Sequence, residues 1–431
     1  MVDKIRSISC NEQLYLDMQD LMNTFAMQFV LEYEGIIDKH KLEDAINFVL
    51  RNTNDSNLML FNKCWYKSNE NIKVKFIDIY SEDVFEDDFF KEKIDYRSHS
   101  LEVYLLKHYD KRYIVFKLLH SVSDGKGALL LVENIFKKLK DEELLKCTNS
   151  FNEQDLVKDI AIHDKKINLI PKFKFKGNVN IIKKYTPSWG VFSIDGYHSG
   201  IIAKIASALS KHFENDSVNF MIPVDIRRHL DKYQLGNMTL PIFLSASKNE
   251  TWEEINGRLL YALKNKEELN KKSIEYFGYK NIPKFFRNIV VNFIKRYFNI
   301  KKLYMNGSII SYLGRVDVKS FSNEMFKIVD FISLPVQSPF EPFSISIVET
   351  NNKMNIAISR YKEQIDCHKF DEITKDIREK FWVWNCVNKN IKKDINNKSM
   401  FTMFLYNKEE GIIELLEVVS WKRYMFIETL Q

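Results

Sequence analysis

The sequence is short of most features that would place a protein at a glance. Its five cysteines (Cys10, Cys64, Cys147, Cys367 and Cys386) are odd in number, scattered, and without any CxxC spacing. That excludes a disulfide framework and a structural zinc site, and a reducing compartment is expected. No apolar run is long enough to span a bilayer. The opening Met1-Val-Asp-Lys-Ile-Arg lacks the long apolar stretch of a secretory leader, so a cytoplasmic location is expected. A large excess of one charge is missing as well. The net charge is only +6, with the basic residues interleaved among 58 acidic ones, which argues against a nucleic-acid partner. No internal repeat or low-complexity tract stands out.

What the chain does have is globular composition, 45% hydrophobic with 28% charged. Its 431 residues exceed what one core usually supports, so two domains are expected. Apolar spacing reads residues 12–30 as a helix and Leu31-Glu-Tyr-Glu-Gly35 as strand. A second helix opens after Asp38, a good N-cap, with Leu42, Ala45, Ile46 and Leu50 on one face. Short strands follow near 58–65 and 72–79, and then two adjacent strands at 101–107 and 112–119. Residues 141–190 are poorer in pattern, with Lys165–Gly177 reading as an exposed connection carrying one edge strand, and the domain crossover is placed there. Beyond it come a helix at about 196–213 and strands near 217–223, 239–247, 308–314, 341–349 and 353–361. This order points to layered α/β or α+β architecture.

One hexapeptide carries the chemistry. His120-Ser-Val-Ser-Asp124-Gly125 follows the apolar run 113–119 and precedes the helix-like stretch 127–136. A histidine at the end of a strand, on a short turn that an aspartate can lock, is well placed to take a proton near neutral pH. The same residues also fit an ordinary surface turn. Two later elements change the balance: Pro223-Val-Asp-Ile-Arg227-Arg228 with Leu235-Gly-Asn237, and Ser308-Ile-Ile-Ser311-Tyr-Leu-Gly314.

In this order, and with Gly35-Ile-Ile-Asp38 and Leu42-Glu-Asp-Ala45 upstream, these pieces resemble the CoA-dependent acyltransferase superfamily with the HxxxDG motif. That superfamily includes chloramphenicol acetyltransferase, plant BAHD acyltransferases, condensation domains and the alcohol and polyketide-associated acyltransferases. The Pro223–Arg227 wording is nearest the last branch. The resemblance implies an α/β fold of two chloramphenicol-acetyltransferase-like layered halves, mixed sheets flanked by helices, at 1–175 and 185–431. A tunnel between them would hold His120.

The resemblance also implies roles. His120 would be the general base, and Asp124 would pair with Arg227 (or with Arg228) and stiffen the turn rather than move protons. Gly125 would allow a turn conformation or a close backbone approach. Ser308, Ser311 and Asn237, or a backbone N–H beside His120, are candidate oxyanion stabilisers, Asn237 being read first as structural. No metal and no permanently bound cofactor are expected. The co-substrate would be acyl-CoA or an acyl carrier protein, and the acceptor a small alcohol ahead of an amine. The alternatives are a free-standing condensation-type enzyme joining carrier-bound substrates and a non-catalytic binding member of the fold. Two features depart from the family: Leu119 stands where many members have a second histidine, and the BAHD sequence Asp-Phe-Gly-Trp-Gly is absent.

Residues 279–304 contain no acid and many aromatics. They read as an amphipathic helix in peripheral contact with a membrane, as a basic face for the phosphates of CoA or an acidic carrier protein, or as a helix packed on the second half with a solvated basic side.

Overall fold

The computed structural model describes residues 3–425 except 23–24, 54–55, 161, 166–171, 177–179, 183, 231–232, 271–280, 395–400, 408–411, 419 and 422–423. Side chains are described up to residue 381, apart from 157–159. Residues Met1–Arg378 form one compact unit and Glu379–Gln431 a second, which holds the antiparallel hairpin Phe401–Asn407 with Ile412–Val418.

The larger unit has two lobes, each built on a mixed sheet. The first sheet uses β1 (Ala26–Gly35), β2 (Lys75–Ile79), β3 (Leu101–His108), β4 (Lys111–Leu119) and β9 (Phe326–Leu334), in the order β9-β1-β4-β3-β2. The second uses β5 (Pro187–Asp195), β6 (Ser217–Asp225), β7 (Thr239–Ser247), β8 (Ser308–Arg315), β10 (Ser344–Thr350) and β11 (Lys353–Tyr361). Its order is β7-β6-β8-β10-β11-β5, with β8 parallel to both β6 and β10. The halves are interlaced: β9 belongs by position to the second half, yet it pairs antiparallel with β1 from Phe326↔Gly35 to Leu334↔Gln28.

Both faces of the first sheet are covered. Phe29, Leu31, Phe116 and Leu118 pack on one side with Leu129 and Ile135 of α3 (Gly125–Leu139). Val30, Val115 and Tyr104 pack on the other with Trp189 and Ile332. A strand buried on both sides reads as an unbroken apolar run, without the alternation of a half-exposed one. This is why the expected helix over 12–30 is wrong in its second part. The helix α1 stops at Cys10–Leu21 and Ala26 already begins β1. The Ser9 side chain caps α1 in a capping box with Glu12. The second helix, α2 (Lys39–Asn52), starts as expected, with Asp38 accepting from the His40 and Lys41 amides.

In the second sheet β6 and β7 alternate buried and half-buried residues along their whole length, a period-2 pattern legible in sequence. The expected helix at 196–213 is shorter, Ile201–Ser210, and β5 precedes it. The expected exposed connection at 165–177 with one edge strand holds in part where it is described, since Lys165, Lys172, Lys174 and Lys176 are exposed. Phe173 and Phe175 are buried and bridge to Tyr304 and Phe213, whereas 166–171 and 177 lie outside the described residues.

Candidate active site

Strand β4 runs out at Leu119, and the Val122 amide donates back to the Leu119 carbonyl at 2.9 Å, closing the turn that carries His120. Asp124 then starts α3. Its extended backbone and its Oδ1, which accepts from the Gly127 amide at 2.8 Å, make it the helix N-cap. The hexapeptide therefore has a local reason to fold as it does before any partner arrives.

The partner comes from the other lobe. Arg227, just past the end of β6, grips Asp124 with both terminal guanidinium nitrogens, Nη1 and Nη2, at 3.0 and 2.9 Å. The Met238 amide (2.7 Å) and the Thr239 hydroxyl (2.8 Å) donate to the same carboxylate. Burial alone would favour a neutral Asp124, but the adjacent Arg227 charge and these donors hold its carboxyl below the usual carboxylate range. Arg227 is itself fixed by the Gln234 and Gly236 carbonyls and by Asp225. The neighbouring Arg228 turns away and pairs with Glu268.

His120 is partly buried against aromatic rings, with Tyr15 at 4.7 Å and Phe25 stacked at 5.9 Å between centroids. Nδ1 lies 3.2 Å from the Ser123 carbonyl. A carbonyl only accepts, so Nδ1 carries the proton and Nε2 keeps its lone pair. Burial pulls the imidazole below its ordinary range, against contrary pulls from Asp124 and the surrounding hydrogen bonds. A neutral, fixed imidazole with a free basic nitrogen can accept one proton and return it.

Asn237 is joined to this turn, its side-chain amide donating to the His120 carbonyl at 2.9 Å. That contact positions the backbone of the histidine. Ser308 is fully buried and donates to the Ile309 and Phe343 carbonyls, so its hydroxyl is directed into the sheet. Ser311 is half-buried on β8 and pairs in register with Ser346, two residues before a bulge at Leu313, whose side chain packs against Gly125 at the start of α3.

Gly125 has an ordinary helical backbone and meets only that flexible leucine. The strict requirement falls instead on Gly127, where a Cβ would collide with the Leu235 carbonyl oxygen. Sequence reasoning missed Gly127, Tyr15, Phe25 and Thr239. Only Gly127 and Thr239 carried a signal, being neighbours of the motifs. A small cavity of ≈10 Å³, about the room one water needs, is lined by Ser56, Ser100, Leu119, Val122, Asn149 and Leu235 among others, but not by His120, so it is not the expected tunnel. Among the described residues one cluster, His212 with Glu372 and Asp376, gathers metal-ligand types, and Lys369 already sits 2.7 Å from Glu372.

No family model matches the sequence, and no curated protein matches it. Solved structures do. The epimerization domain from the third module of tyrocidine synthetase B is 13% identical, with a TM-score of 0.58 over 88% of this chain and 96% of its own. The condensation domain from Monacolin K polyketide synthase MokA is 9% identical, with a TM-score of 0.59 over 88% and 97%. The starter condensation domain of rhizomide synthetase RzmA, a mutant in complex with C8-CoA and Leu-SNAC, is 10% identical, with a TM-score of 0.58 over 87% and 94%.

These likenesses do not single out the alcohol-acetyltransferase branch. They also correct the expected order of acceptors. The structures matched include condensation domains, and one of these was solved with C8-CoA and the aminoacyl compound Leu-SNAC, so an alcohol is not the acceptor to place first. Two mixed sheets flanked by helices, with an HxxxDG turn clamped from the opposite lobe, give this chain the fold of the chloramphenicol acetyltransferase and condensation-domain superfamily.

Proposed function

We propose that the chain is a condensation-type acyltransferase that moves an acyl group from a thioester to an amine. The donor is an acyl group on a carrier protein or on CoA. The observation that carries this reading is the division of labour within the turn. Asp124 is spent on Arg227, Gly127, Met238 and Thr239, which leaves His120 Nε2 as the base.

The amine nitrogen attacks the thioester carbonyl, forming the C–N bond, while Nε2 takes its proton. The tetrahedral intermediate then expels the thiolate, and the imidazolium returns the proton to sulfur. The products are an amide and a free thiol, and His120 ends neutral, as it began. Holding donor and acceptor in line contributes much of the rate, because an encounter of two molecules becomes a reaction within one complex. With the Ser308 hydroxyl turned into the sheet and the Asn237 amide on the His120 carbonyl, Ser311 is the side chain we assign to the developing oxyanion.

The test is amide formation, followed by mass spectrometry, from octanoyl-CoA or an octanoyl-loaded carrier with an aminoacyl thioester. It is run on wild type and His120→Ala. We expect product from wild type and a loss of roughly 10²–10⁴-fold in the variant. Equal rates in a folded His120→Ala protein, or no amide from either donor, would overturn the reading.

A further inference from the structure

Helix α7 (Lys284–Lys301) is anchored by its polar residues and leaves its aromatics outside, the reverse of ordinary surface helices. Arg287 is 3% exposed and makes a two-nitrogen pair with the buried Asp17 of α1, at 2.7 and 3.2 Å. Lys284 pairs with Asp20 at 2.6 Å. At the other end the Asn299 side chain exchanges two hydrogen bonds with the Ile182 backbone, both 2.8 Å. Val291 and Phe298 complete the buried side.

Phe286, Phe293, Tyr297 and Ile300, with Ile289 and Val290 each three or four residues from both Phe286 and Phe293, form a single stripe. All are exposed, Phe286 by 57% and Phe293 by 70%, with Phe285 beside them at 70%. The solvated basic side expected of a packed helix is not what faces outward. Tyr279 and Lys280 of the segment read from sequence lie outside the described residues.

An apolar stripe of this length on an exposed helix marks a contact with something else. The charges say what. No acid occurs from 281 to 304, while the exposed Arg296 and Lys301 fall on the two edges of the stripe and Lys302 follows. Two copies joined through this face would set those cations against one another with no carboxylate on either helix to meet them. Anionic lipid headgroups complement them, and acyl chains accept the aromatics. No helix among the described residues is long and apolar enough to cross a membrane, so the stripe would lie along the surface.

We infer that α7 seats the protein on an anionic membrane surface, with Phe286, Phe293 and Tyr297 in the acyl boundary and Arg296 and Lys301 at the headgroups. This inference stands apart from the acyl-transfer reading, because it uses none of the residues around His120.

The test is flotation of the full chain with vesicles of equal parts phosphatidylglycerol and phosphatidylcholine, and with vesicles of phosphatidylcholine alone. Wild type should float with the anionic vesicles, less with the neutral ones, and be partly released by high salt. Phe286→Glu/Phe293→Glu should stay in the soluble fraction with an unchanged unfolding temperature, since both rings are exposed. Arg296→Gln/Lys301→Gln should lose only the preference for anionic lipid. Wild type failing to float with either vesicle would overturn the inference, as would a double glutamate variant that floats equally well. Overturning it too would be concentration-dependent self-association, seen by sedimentation velocity without vesicle binding and abolished by the glutamates, which would assign the stripe to a second copy.

Discussion

Arg227 and Asp124, 103 residues apart in the chain, meet as a doubly hydrogen-bonded ion pair that ties the end of β6 to the turn carrying His120. Both are nearly sealed from water, at 8% and 4% exposure. In such a site removing one partner strands the other, and that penalty exceeds the net worth of the pair. Arg227→Met should therefore cost on the order of 3–5 kcal/mol in urea denaturation at neutral pH. Asp124→Asn should cost a similar amount, because its amide NH2 would face the Arg227, Met238 and Thr239 donors. What remains is the bond from the Gly127 amide to the amide oxygen, and Asp225 beside Arg227. A loss below about 1 kcal/mol for Arg227→Met, the level of an exposed pair, would show that the clamp does not hold the lobes.

The buried imidazole sets the acid limb of activity. Burial favours the neutral form of His120 and so moves its titration below the ordinary value of 6.5. The base is thus unprotonated at lower pH than a free histidine would be. The acid limb of kcat/KM, which reports the free enzyme, should be centred below 6.5.

Stability follows the same sign. With the folded pKa depressed, the unfolded chain binds the proton first. The contribution is full above 6.5 and is lost as pH falls through the folded pKa. A pH-rate profile together with urea midpoints across the acid range, for wild type and His120→Gln, checks both. An acid limb centred at or above 6.5 would contradict the geometry.

Much of this site was legible in the chain because its parts are local. His120, Asp124 and the first turn of α3 form one hexapeptide, and the N-cap role of Asp124 needs nothing beyond the amide of Gly127. Arg227 was legible only through its resemblance to a family pattern. Tyr15 and Phe25 were not legible at all. They reach His120 because α1 and the start of β1 fold across the end of β4, and no spacing rule encodes that approach. The two-lobed α/β architecture could be read from element order, but β9 could not, since its pairing with β1 joins segments some three hundred residues apart. Doubly buried strands erased the period-2 signal at Ala26–Leu31, which is how a helix was read there.

Gly127 and Gly125 separate two reasons for glycine in the motif. A methyl group at Gly125 meets the end of the Leu313 side chain at 3.1 Å, and a leucine rotamer can yield. At Gly127 the methyl meets the Leu235 carbonyl and the Ser123 hydroxyl, and Ser123 donates to that same carbonyl. The Leu235 carbonyl is backbone and leaves little room to yield, so α3 would be pushed off the 234–236 segment whose carbonyls hold Arg227. Gly127→Ala should therefore cost about 1–3 kcal/mol, the usual penalty of overpacking, and should lower kcat by loosening the turn. Gly125→Ala should stay within about 0.5 kcal/mol, because alanine gains helix propensity at the first helical position. Thermal unfolding and single-turnover rates of the two variants, measured side by side, decide the matter. Equal behaviour would mean that the close approach of Leu235 is not a constraint on the motif.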